Sequence, residues 1–324
     1  MLNYIIRRLL GIIPLLFGIT VISFIIIHLA PGKPTTQQEL MSPRISYEAK
    51  VRMERLLDLD KPLHIRYIKW LGRIVSFDLG VSRIYDRPVV EKILERIPVT
   101  LTINILALCF ILIISIPLGI IAASKPGSCF DKITTVGVFI GFALPTFWVA
   151  LLLMQFFSLK LGYFPISGIK SLDFEYFSWP KKILDLAHHL ILPVCVSSIG
   201  SLAGFSRYIR QNMLQALSQP YIITAKAKGL SQRQILYCHA FPNAVLPLVT
   251  ILGLSIPGLL GGSVIFESIF ALPGIGELYY KAVMARDTDL IMALVILGAI
   301  LTMIGNLVAD IAYAYVDPRI RYRK

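Results

Sequence analysis

Six stretches of the chain contain no Asp, Glu, Lys or Arg: Leu9 to Ala30 (22 residues), Val99 to Ala123 (25), Ile133 to Leu159 (27), Ala187 to Phe205 (19), Ala244 to Phe266 (23) and Leu290 to Ala309 (20). A helix rises about 1.5 Å per residue, so roughly 20 apolar residues cross a hydrocarbon core of about 30 Å. Five stretches meet that length and the fourth nearly does. Together they hold 136 of 324 residues, and only 16% of the chain is charged, against about 25% in soluble domains. So many separate charge-free runs do not fit inside one soluble core. A membrane barrel is excluded because its segments of about ten residues alternate polar with apolar, and none here do. The pattern predicts an all-α polytopic membrane protein with six transmembrane helices.

The first stretch follows Arg7 and Arg8, as in a signal peptide. It is too long for an h-region of about 7 to 15 residues, and it runs into His28-Leu29-Ala30-Pro31-Gly32 rather than a small-residue cleavage site. It reads as a retained helix.

With six spans the two ends share a side. Placing both in the cytoplasm puts 13 Lys and Arg there against Asp131, Asp310 and Asp317, a balance of +10, and leaves +3 outside. Of the 19 external cations, 13 lie in the long segment from Pro31 to Pro98, and long loops translocate largely regardless of charge. The six that remain are outnumbered by the 13 inside, so both termini are expected in the cytoplasm. The net +13 therefore reads as orientation, and nucleic acid is not an expected partner.

Pro31 to Pro98 looks folded. Ser46 is a plausible N-cap for a helix with Val51, Leu56, Leu57 and Leu59 on one face and Glu54 and Arg55 on the other. Lys61-Pro62 breaks it, and Tyr67, Trp70, Leu71 and Ile74 form a second short apolar stripe, giving a small helical extracytoplasmic segment. Cys109 and Cys195 lie within spans, and Cys129 and Cys238 in cytoplasmic loops. Their spacings match no zinc or redox motif, so they read as small buried residues with no metal site.

Coupled carriers place carboxylates, histidines or unwound polar backbone near the midplane. Here Asp310 lies at the cytoplasmic end of the last span, and His28, His188 and His189 at external ends. No filter sequence marks a channel, and no G-x-x-x-x-G-K-[ST], H-E-x-x-H or G-x-S-x-G motif occurs. The chain is expected to be no enzyme and to hold no cofactor. Uphill transport would draw its energy from a partner.

That partner would meet the third cytoplasmic connection, Ser206 to Pro242, about 37 residues long. A short helix ends at Lys228, Gly229 suits the left-handed residue past it, and Ser231 with Gln234 forms an S-x-x-Q capping box that starts another helix. Two helices at a glycine corner make a knob, and Ala225 and Ala227 are expected to keep one side small for close approach. The knob is either a docking element or a basic interfacial loop beside anionic lipid, which Lys226, Lys228 and Arg233 would also suit.

The connection resembles the EAA loop of ABC importer permeases, E-A-A-x-x-x-G followed after nine residues by I-x-L-P. Ile223-Thr224-Ala225 stands at the E-A-A positions, with isoleucine in place of the acid, Gly229 at the glycine, and His239-Ala240-Phe241-Pro242 at I-x-L-P. The dipeptide, oligopeptide and nickel subfamily shows T-A-x-A-K-G-L followed by H-A, and both are present. Six further motifs, in order, resemble the B-type permease of that subfamily: Arg7-Arg8-Leu9-Leu10 with Ala30-Pro31-Gly32, Phe77-Asp78-Leu79-Gly80, Arg87-Pro88-Val89, Phe266-Glu267-Ser268-Ile269-Phe270 with Leu272-Pro273-Gly274-Ile275-Gly276, Asp310-Ile311-Ala312-Tyr313, and Asp317-Pro318-Arg319-Ile320-Arg321.

The resemblance implies a type I importer in a prokaryotic inner membrane. It would comprise this chain, a C-type permease, two cytoplasmic ATPases that use the ATP, and an external solute-binding protein. Thr224, Ala225, Lys226, Ala227, Gly229, Ser231 and Gln234 would couple the path to an ATPase. The implied organisation is an N-terminal end and first helix (1–30), an extracytoplasmic segment (31–98), a permease core (99–312) with the coupling loop at about 206–242, and a cytoplasmic tail (313–324). Dipeptides or oligopeptides are the expected cargo, with nickel the alternative in the same subfamily and a self-sufficient carrier or channel the alternative of another class. Pro145, Pro193, Pro247, Gly253, Pro257 and Gly258 are expected to kink the spans where helices shift. Pro273-Gly274 is expected to turn an external re-entrant helix anchored by Tyr279 and Tyr280.

Overall fold

A computed structural model describes residues 2–30 and 60–316. The helix expected after Ser46 and the motif from Asp317 to Arg321 lie outside them. The described residues are mostly helical, as the charge-free runs require, because backbone amides in hydrocarbon must be satisfied within their own segment. Among the described residues five helices are long and apolar enough to cross a bilayer, and a bent pair makes a sixth if counted as one span.

Helix α1 (Leu2–Leu29) lies beside the closing helix α13 (Thr288–Val316). Pro62, itself extended at φ −56°, ψ 147°, opens α2 (Leu63–Val75). The stripe expected from Tyr67 to Ile74 is its inner face: Trp70 is buried with Phe24 of α1 and with Met292 and Ile296 of α13, and the Tyr67 hydroxyl lies 3.0 Å from Thr20 Oγ1. A two-residue hairpin, β1 (Val81–Ser82) with β2 (Arg87–Pro88), is held to the start of α13 by the buried Asp287 carboxylate. That carboxylate accepts from Ser82 Oγ at 2.6 Å, the Arg83 amide at 2.7 Å and the Leu290 amide at 3.3 Å.

The long pair α3 (Val89–Ser124) and α6 (Trp179–Leu217) forms the spine. Both outrun their charge-free stretches. Helix α3 starts ten residues before Val99, because the charges there pair along its surface: Arg87 with Glu91 at 2.9 Å and with Glu95 at 2.8 Å, and Lys92 with Glu95 at 2.7 Å. Where the two helices cross, a Cβ on Gly119 would come within 2.7 Å of Ile209 Cβ, so the glycine sets the approach distance. Pro193 sits inside α6 without breaking it.

Two stretches read as single spans are broken. Ile133 to Leu159 divides into α4 (Cys129–Ala143) and α5 (Thr146–Leu153, continued by a π-helical stretch Met154–Lys160), which meet at 101°. Pro145 has no amide hydrogen and forces its predecessor to extend; Leu144 stands at φ −86°, ψ 128°. Ala244 to Phe266 breaks at Gly261-Gly262-Ser263 between α10 (Leu246–Leu260) and α11 (Val264–Ile269). Charge content alone marks neither break, since both joints are uncharged.

The turn at Pro273-Gly274 joins α11 to α12 (Ile275–Met284). Glu267, 3% exposed, organises it by accepting from Thr100 Oγ1 at 3.2 Å and the Glu277 amide at 3.0 Å, while Thr100 Oγ1 accepts from the Ile275 amide at 2.9 Å. Only Tyr280 of the expected tyrosine anchors is exposed; Tyr279 packs on the core formed by α12, α13 and the start of α3. The cysteines are not core residues either: Cys109, Cys129 and Cys238 are exposed, and Cys195 is half-buried. A small apolar side chain in a span faces lipid as readily as protein.

Candidate functional site: the glycine corner between two short helices

The connection expected from Ser206 to Pro242 is shorter than its charges imply, because residues 206–217 complete α6. Pro220 takes the first position of α7 (Pro220–Ala227), where its fixed φ suits a helix start and no amide is lost. Beyond the corner, α8 (Gln232–Gln234) leads through a π-helical stretch Ile235–Ala240 and α9 (Phe241–Ala244) into α10.

The corner is made by backbone hydrogen bonds that only a left-handed residue permits. Gly229 has φ +74°; its amide donates to the Lys226 carbonyl at 3.0 Å and the Leu230 amide to the Ala225 carbonyl at 3.3 Å, which closes α7 with a Schellman motif. Ser231 then opens α8. The Gln234 amide donates to Ser231 Oγ at 3.4 Å, and Gln234 Oε1 accepts from the Ser231 amide at 3.0 Å. Replacing Ser231 with Ala removes the hydroxyl half of this reciprocal cap and is expected to cost about 1 kcal/mol. Hydrogen exchange of the amides at 231–236 should then quicken by about fivefold.

The knob is seated by apolar burial. Ile222 and Ala225, three residues apart on one face, are buried among Ile209, Met213 and Ala216 of α6, Ile120 and Ala123 of α3, and Ile235 and Ala240 beyond the corner. Asn243 Nδ2 also donates to the Tyr221 hydroxyl at 3.2 Å. Ala225 and Ala227 therefore do not share a side. Two residues apart on a helix they project about 200° from each other, and Ala225 faces the chain's own core while Ala227 faces out. The outward face consists of Ile223, 66% exposed, with Thr224, Lys226, Ala227 and Lys228. It presents an apolar centre with cations beside it, suited to an apolar groove rimmed by carboxylates.

The seven residues singled out in the sequence divide by task. Thr224, Lys226 and Ala227 form the presented face, Ala225 seats it, and Gly229, Ser231 and Gln234 shape the corner. Sequence reasoning missed Ile222, although its spacing of three from Ala225 was a legible signal. It also missed the ion pair of Arg210 with Asp131, which lie 79 residues apart and give no local signal.

The family model for the binding-protein-dependent transport system inner membrane component matches residues 115–322, a span that contains this knob, and the model for the N-terminal part of such components matches residues 1–104. The chain belongs to this family. Members are the membrane components of binding-protein-dependent importers, and this one is a multi-pass membrane protein. It is similar to the oligopeptide transport system permease protein AppB of Bacillus subtilis (strain 168), 44% identical over 99% of this chain and 100% of that one. It is also similar to the di/tripeptide transport system permease protein DppB of Pseudomonas aeruginosa, at 36%, and to the dipeptide transport system permease protein DppB of Escherichia coli K12, at 34%, each covering all of both chains. A chain of the MetNI methionine ABC transporter in inward-facing conformations superposes with a TM-score of 0.54 at 16% identity, over 70% of this chain and 97% of that chain. The two share the type I importer permease fold.

Proposed function

We propose that this permease component carries dipeptides or oligopeptides across the inner membrane of a prokaryote as half of a translocation path completed by a C-type permease. Two cytoplasmic ATPases supply the energy, and an external solute-binding protein delivers the peptide. The observation that carries this reading is the seated glycine corner with its outward face, in a chain similar over its whole length to peptide permeases. In this reading both termini and the knob are cytoplasmic, which the positive-inside excess supports. Closure of the ATPases on ATP draws the knobs together and switches the path between two states. The chemistry of ATP belongs to the ATPases, and this chain transmits motion.

Reconstitution in proteoliposomes tests the reading. The chain with its C-type partner, the ATPases and the binding protein is expected to accumulate a radiolabelled dipeptide or oligopeptide only when ATP is present. Uptake by the chain alone, without ATP, would overturn the proposal in favour of a self-sufficient carrier. Uptake of nickel but not peptide would overturn the cargo.

A further inference from the structure

Asp131 lies in the first turn of α4, yet its side chain is only 5% exposed. The carboxylate is held from two elements. Arg210 of α6 donates to it through Nε at 2.5 Å and Nη2 at 2.7 Å, and the Gly127 amide donates at 2.9 Å. A two-pronged guanidinium on a buried carboxylate is stronger and stricter in geometry than an exposed ion pair. A second tie lies further along α4, where the Arg207 guanidinium sits 5.4 Å from the centre of the Phe139 ring. Asp131 and Phe139 are eight residues apart, about 12 Å of helix, so α4 is fastened to α6 at two levels.

The part of α6 that grips α4 is also the stalk of the knob. Ile209, beside Arg210, is buried in the cluster that seats Ile222 and Ala225, as are Met213 and Ala216 further along. The other end of α4 is free of α5's helical hydrogen bonding: α4 stops at Ala143, Leu144 is extended, and the next helix departs at 101°. Helix α4 is thus tied to the knob's stalk along its length, with Gly141 close to Ala203 and the Phe142 ring close to Gly204 near its end, and is jointed where it meets α5.

We propose that the Asp131–Arg210 pair is a latch through which α4 follows the knob, so that displacement of the Gly229 corner becomes a swing of α4 about Leu144-Pro145. Both are positioning residues, because the Asp131 carboxylate is taken up by Arg210 and the Gly127 amide and acts through its hold on α4. The inference rests on the coupling role proposed above and adds the intrachain route.

The test uses the complete importer in proteoliposomes, with uptake and ATP hydrolysis measured in the same vesicles. Asp131→Asn and Arg210→Gln should each keep ATP hydrolysis while peptide taken up per ATP falls on the order of tenfold, the size of a typical coupling between sites. The exchanged pair Asp131→Arg with Arg210→Asp should restore most of it. In a background lacking the four native cysteines, spin labels at Val136 on α4 and Leu152 on α5 should change separation with ATP in the unaltered protein and not in Asp131→Asn. A ratio within about twofold of the unaltered protein in the single variants would overturn the latch. So would uncoupling that the exchange leaves unreversed, or a loss of uptake that merely tracks loss of assembled complex. If the unaltered complex shows no ATP-dependent uptake, the proposed function fails, and the latch with it.

Discussion

Replacing Gly229 with Val is expected to uncouple ATP hydrolysis from uptake while leaving membrane insertion intact. The open space around Gly229 gives a side chain nothing to strike, so the effect comes from the backbone alone. At φ +74° an L-residue costs roughly 1 to 2 kcal/mol, and β-branching makes the left-handed region harder still. The corner would relax by turning its φ negative, which breaks the bonds from Gly229 to Lys226 and from Leu230 to Ala225 and swings α8 away from α7. A strain of about 1.4 kcal/mol corresponds to tenfold in the population of the competent knob, so uptake per ATP should fall by at least about that factor. Gly229→Asn is the graded control. Asn tolerates the left-handed region better than other non-glycine residues, so its loss should be smaller. Equal, normal coupling in both variants would remove the corner from the transmission route.

The second large effect is expected at Glu267. Glu267→Leu keeps side-chain volume but removes the acceptor for the buried Thr100 Oγ1 and for the part-buried Glu277 amide. Leaving such donors unmade costs about 1 to 3 kcal/mol apiece, so unfolding in detergent should require on the order of 3 kcal/mol less. Glu267→Gln, which keeps an acceptor oxygen, should lose about half of that. Gly274 and Gly276 cannot relieve the site by accepting larger neighbours. A Cβ on Gly276 would meet the Ser263 backbone carbon at 2.5 Å, and one on Gly274 would run into the Glu267 carboxylate itself. Unchanged stability in Glu267→Leu would show that the turn holds without the carboxylate.

The parts of this structure that were legible in the sequence are those governed by local rules. Ser231 and Gln234 are three residues apart and cap each other; Gly229 follows a helix that cannot continue; Pro62 opens α2. The number and apolar character of the spans followed from charge spacing. Helix ends did not, because charge-free runs stop at the first ionic side chain while helices stop at the first backbone break. Glu91, Glu95, Arg207 and Arg210 all ride on helices that continue past the hydrocarbon, and Leu144-Pro145 ends a helix inside a run with no charge at all. Ala225 was misplaced for a simpler reason: a two-residue spacing joins faces on a strand and separates them on a helix. Contacts between distant segments, such as Asp131 with Arg210 or Asp287 with Ser82, left no sequence signal because either partner alone reads as an ordinary interfacial polar residue.

Helix α6 has one further consequence when treated as a lever. Its 39 residues extend about 58 Å, nearly twice the hydrocarbon thickness, and Pro193 divides it unequally. The arm from Pro193 to Leu217 is about 36 Å long and the opposite arm about 21 Å. A bend of about 10° introduced at Pro193 would carry the knob end through roughly 6 Å, about one helical turn. Angular adjustments too small to disturb packing near the pivot therefore arrive at the knob as displacements large enough to change which residues it touches.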